Sequence, residues 1–90
     1  MEITEIRIYL RKEEKLKAFA TVTFDNCFAV RNMKIISGTH GLILCMPSRK
    51  LPDGSYQDVA HPVTAAFRKT IEDKVLALYR REISRADPGV

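Results

Sequence analysis

Leu16 to Ile36, LKAFATVTFDNCFAVRNMKII, is two alternating runs around a short polar break. Leu16, Ala18, Ala20, Val22 and Phe24 fall on one side, and Lys17, Phe19, Thr21 and Thr23 on the other. A period of two marks a strand with one buried face, because successive side chains of an extended chain point to opposite faces. Asp25-Asn26 predicts a tight turn, since both residue types tolerate the positive φ that hairpin turns need. Phe28 to Ile36 is then the returning strand. Its alternation fails at Arg31-Asn32, which predicts a bulge.

Working outward, Ile6, Ile8 and Leu10 alternate with Glu5, Arg7 and Tyr9, so residues 3–10 read as a strand before the pair. Ser37 to Gly41 reads as a turn with two glycines, and Leu42 to Met46 as a short apolar fourth strand. Short polar turns between neighbouring strands make an antiparallel meander. Pro47 ends it. Residues 46–62 read as a loop with a short hairpin: Pro52-Asp53-Gly54 is a strong turn signal, and Tyr56 to Ala60 a short edge strand. After Pro62 the period lengthens. Phe67, Ile71, Val75, Leu78 and Ile83, with Leu76 and Tyr79 widening the stripe, predict a helix over about 64–84. Thr64 is placed to cap it, and Arg68–Glu72 and Lys69–Asp73 are spaced to pair on its outer side. The expected architecture is α+β: an antiparallel meander of four to five strands with one long C-terminal helix. Residues 1–86 make one domain, and residues 87–90 a frayed tail.

Ninety residues bury only roughly 60–65% of the unfolded surface, so the stability margin is thin. One helix cannot cover both faces and both edges of such a sheet, and an open edge invites pairing with a second copy. A homodimer built partly by sheet extension is expected. No apolar run is long enough to span a bilayer and no leader pattern is seen, so the expected place is the cytoplasm, with no membrane partner. Cys27 and Cys45 lie far apart among apolar residues and predict two reduced, buried thiols.

The catalytic inventory is sparse. His40 has no sequence partner. Asp58 and His61 are three apart, and on a strand would point to opposite faces. His61 reads as ordering the corner before Pro62. No nucleophile motif or phosphate loop is present, and the His and Cys positions do not match zinc spacings. No enzyme activity, cofactor or metal is expected.

The charge pattern is more telling. The net charge is +4, and residues 1–45 carry seven Lys/Arg against five Asp/Glu while residues 46–90 carry eight against six. The excess is therefore spread, and any polyanion surface must be assembled by the fold. Arg49-Lys50 lies in the loop; Arg68-Lys69, Arg80-Arg81 and Arg85 lie on the helix. Arg81 and Arg85, one turn apart, could meet successive phosphates. The competing reading is a solvated helix face whose late arginines complement the negative end of the helix dipole. Tyr9, Phe19 and Tyr56 are the candidates for base stacking.

Met46-Pro47-Ser48-Arg49-Lys50, Pro52-Asp53-Gly54 and Asp58-Val59-Ala60-His61-Pro62 together resemble the signature of the stage V sporulation protein G family. Met1 to Thr4, Lys17-Ala18, Thr23-Phe24-Asp25, Gly41-Leu42, Arg68, Ile71 and Tyr79 extend the likeness over roughly residues 1–83. The resemblance implies a small, dimeric, non-enzymatic bacterial regulator that binds DNA, with RNA also described, and that influences septation, sporulation or related gene expression. It carries a contact role onto Arg49, Lys50, Arg68 and Lys69. Arg80, Arg81 and Arg85 are added on charge alone. The alternative is an adaptor for a protein partner in the division machinery, held at an open sheet edge, with nucleic-acid binding incidental.

Overall fold

The structure is a computed structural model that describes residues 1–86; the tail expected over 87–90 lies outside them. Four strands, β1 (Ile3–Leu10), β2 (Leu16–Phe24), β3 (Phe28–Gly38) and β4 (Gly41–Cys45), form an antiparallel sheet in sequence order. The short strands β5 (Ser48–Lys50) and β6 (Tyr56–Asp58) pair with each other as a separate hairpin. Helix α1 (Ala65–Ala86) completes an α+β fold.

The β2–β3 pairing is built as its sequence dictates. Asp25 and Asn26 take φ of 50° and 54°, and the Cys27 N–H donates to the Phe24 carbonyl at 3.0 Å. Positive φ at both central positions suits the right-handed twist of the flanking strands. The Asp25 carboxylate also accepts from the Glu2 N–H at 2.8 Å, tying the start of β1 to this turn. Along the ladder Ala20 pairs with Met33 but Val22 pairs with Val30, so β3 gains one residue at Arg31-Asn32. Asn32 absorbs the bulge with φ of 63°. It is one of the few residue types that accepts the left-handed region.

One face of the sheet is covered and the other is not. Ala18, Ala20, Val22 and Phe24 of β2, Met33 and Ile35 of β3 and Leu44 of β4 are buried together with Met46. Helix α1 packs across this face with Ile71, Val75 and Tyr79, spaced four apart, and Phe67 tilts against Phe24 at 5.9 Å between ring centroids. Ile83 of the expected stripe is largely exposed. Thr64 caps the helix: its hydroxyl accepts from the Phe67 N–H at 3.2 Å. Lys69 pairs with Asp73 at 3.5 Å, whereas no ion pair joins Arg68 to Glu72 among the described residues.

Three expectations are corrected. Arg49 and Lys50 stand on β5 rather than in a loop, opposite Gln57 and Tyr56. The strand expected over 56–60 stops at Asp58 and edges this small hairpin, not the main sheet. Cys27 is exposed and Cys45 half-buried, both as free thiols. Cys27 closes the β2–β3 turn beyond the Phe24–Phe28 pair, outside the strand alternation that would have buried it.

Candidate functional site

The seven cations expected to contact nucleic acid fall into two groups. Arg49 and Lys50 are exposed on the β5–β6 hairpin. A turn with its own hydrogen bonds shapes this hairpin. The Gly54 N–H donates to the Leu51 carbonyl at 3.0 Å, with Gly54 at φ 89°. The Asp53 carboxylate accepts from the Ser55 N–H at 2.9 Å and its hydroxyl at 2.6 Å. These donors favour the ionised carboxylate and lower its pKa below the usual 3.8. The Val59 N–H donates to the Pro47 carbonyl at 2.7 Å and closes the hairpin's base.

The other five cations ride on α1. At 1.5 Å of rise per residue, Arg68-Lys69 lies roughly 18 Å from Arg80-Arg81 along the axis. At 3.6 residues per turn, Lys69 and Arg80 share an outward line, Arg81 and Arg85 share one flank of the buried stripe, and half-buried Arg68 falls in line with the stripe itself, one turn before Ile71. The helix thus spreads its cations over three lines rather than one face. Asp73 engages Lys69, and Glu82 engages Arg85 at 3.6 Å. Arg49, Lys50, Arg80 and Arg81 have no carboxylate partner among the described residues.

The candidate catalytic pair does not assemble. The His61 Nδ1–H donates to the Pro62 carbonyl at 3.0 Å, which fixes the corner before α1, and no hydrogen bond joins His61 to Asp58 among the described residues. His40 is exposed in the β3–β4 turn. The described residues contain no cluster of potential metal ligands and no helix long and apolar enough to cross a membrane.

The uncovered sheet face carries a second set of cations and aromatics that local charge grouping misses. Tyr9 of β1, Phe19 of β2, Lys34 of β3 and Cys45 of β4 are register neighbours in one row across the sheet. A shallow depression of about 490 Å³ runs along Arg7, Tyr9, Phe19, Arg31 and Asn32. A second, of about 570 Å³, shares Phe19, Arg31 and Asn32 and continues over Lys34 and Phe28 to Pro47 and Ser48, at the root of the hairpin. The signal in the sequence was the odd-numbered residues of β1 and β2, together with the broken alternation at Arg31-Asn32.

On the helix-covered side an apolar groove of about 340 Å³ opens between the start of β3 and the start of α1. Exposed Met1, Phe28 and Val63 rim it.

Comparison with known proteins matches residues 1–81 to the SpoVG family. "Putative septation protein SpoVG" of Anaeromyxobacter sp. strain Fw109-5 is 46% identical over 85 residues, covering 94% of this chain and 88% of its own. The protein of that name from Clostridium acetobutylicum is 48% identical over 82 residues, covering 90% and 86%. That from Myxococcus xanthus is 42% identical over 90 residues, covering 100% and 91%. The match spans the strands, the basic hairpin, the His61-Pro62 corner and most of α1, and this chain belongs to the SpoVG family.

Proposed function

We propose that this protein is a non-enzymatic cytoplasmic regulator that binds nucleic acid as a homodimer, with its basic hairpin and helix as the contact surface. The observation that carries the reading is that, of the seven candidate cations, Arg49, Lys50, Arg80 and Arg81 are exposed and have no carboxylate partner among the described residues. Phosphate neutralisation supplies most of the affinity of such a surface, because each contact releases condensed counterions. The pairs that hold Lys69 and Arg85 are exposed, weak and screened by salt, so phosphates can displace them. Arg68 anchors the first helical turn beside Lys69. The copies pair through an open edge, β1 or β4, with the apolar rim of Met1, Phe28 and Val63 adding buried area. The name of the relatives suggests septation as the cellular setting.

The test is duplex binding by fluorescence anisotropy across a salt series. Arg49→Ala and Lys50→Ala should each lower affinity and reduce the log–log salt slope by roughly 1. An unchanged slope in the double variant removes the hairpin from the interface.

The open edges also favour a second reading, an adaptor that accepts a strand from a division protein. Saturable capture of a protein partner at physiological salt, with no competition from duplex DNA, would select it.

A further inference from the structure

We infer that the uncovered face of the sheet is a second binding site, built for single-stranded nucleic acid. The inference rests on the nucleic-acid reading above but uses residues outside the hairpin and helix. Three properties of the face carry it.

The first is placement of rings. Tyr9 and Phe19 are cross-strand partners on the open face, and Tyr9 is 53% exposed although it is large and apolar in body. The Arg11 guanidinium lies over the Phe19 ring, 5.4 Å from its centroid. A guanidinium plane stacks on bases much as an aromatic ring does, so Arg11 extends the platform. These surfaces accommodate about two or three unstacked bases.

The second is charge. Arg31 and Lys34 have no carboxylate partner among the described residues. Arg7 and Arg11 touch Glu5 and Glu13 at 3.4 and 3.5 Å, in exposed pairs that a phosphate can replace. Glu5, and after it Tyr9, hold the Arg7 pKa above its ordinary value, and Arg7 lines the depression beside Tyr9.

The third is the bulge. In a regular strand consecutive residues face opposite sides. The extra residue in β3 lets Arg31 and Asn32 both line the trough. A bulge re-aims side chains in this way, here presenting a cation beside an amide that can both donate to and accept from a base edge. The trough then runs to Ser48, so a strand leaving it meets Arg49 and Lys50 next.

A duplex cannot use this platform, because its bases are stacked on each other; an unpaired strand can. A docked protein is the competing occupant. A purely protein-binding face would not require Arg31 and Asn32 to share one side or a guanidinium to be stacked on a ring.

The experiment measures two affinities of the full chain at about 0.15 M salt. The probes are a fluorescein-labelled oligo-U of about twelve bases and a duplex DNA. Tyr9→Leu and Phe19→Leu keep apolar bulk and remove the π face. Each is expected to weaken oligo-U binding about tenfold and to leave duplex affinity unchanged. Tyr9→Phe should bind oligo-U like the parent. Wild-type binding to both probes with undiminished oligo-U affinity in both Leu variants overturns the inference and leaves the proposed function intact. Wild-type binding to the duplex but not to oligo-U overturns the inference alone, and binding to neither probe overturns both. Sedimentation showing that the Leu variants turn a dimer into monomers assigns the face to self-association and also overturns it.

Discussion

Three side chains with left-handed backbone decide most of the local geometry, and all are Asp or Asn: Asp25, Asn26 and Asn32. The first two were legible because they sit together between two alternating runs. Asn32 was legible only as a break, since a bulge is a mismatch between two strands and one strand's pattern cannot show its partner's register. Cys27 was misread for a related reason: the alternation that governs β2 stops at the turn, and a turn residue belongs to neither face. At the hairpin tip, Asp53 owes its lowered pKa to donors on Ser55. A pKa lowered on folding stabilises the structure above the unfolded value and ceases to do so as pH falls through the folded one. The protection factor of the Ser55 amide, its exchange rate corrected for the intrinsic pH dependence, should therefore be full above the ordinary carboxylate value of 3.8 and fall as pH drops through the lower folded value. Asp53→Asn should abolish this titration while the β2–β3 amides stay protected. Because Asp53 is exposed, the effect belongs to the hairpin and not to the whole molecule.

At the level of elements, the four long strands and the helix announced themselves through period, because each buries one face against the same core. The hairpin strand Ser48-Arg49-Lys50 had no such signature: all three residues are exposed, and pairing comes from the Pro52-Asp53-Gly54 turn rather than from burial. The cations on α1 were read correctly as helical. Their division among an outward line, one flank and the buried stripe itself depended on where the sheet lies, which Ile71, Val75 and Tyr79 settle. The start of that helix rests on Thr64, whose hydroxyl and carbonyl receive the Phe67 and Arg68 amides at 3.2 and 3.1 Å. Thr64→Ala should cost about 1 kcal/mol. In a domain of this size that is a Tm lower by roughly 4–8 °C, measurable by thermal circular dichroism. An unchanged Tm would mean that Pro62 and the His61 bond alone fix the corner.

For the molecule as a whole, one helix covers one face, and everything else about the surface follows. The sheet has two open edges and an open face, and its apolar core is small. If two copies pair as proposed, pairing adds to stability by mass action. Scanning calorimetry should then show Tm rising with protein concentration over a hundredfold range, and a flat Tm would show that the monomer suffices. The same one-sided covering separates two vocabularies along a single strand. In β2 the residues Ala18, Ala20, Val22 and Phe24 answer to the interior, while Lys17, Phe19, Thr21 and Thr23 answer to the surroundings. Substitutions at the odd positions can thus rewrite what the molecule recognises without renegotiating how it holds together. A lineage could change targets by point mutation on a chassis that stays put.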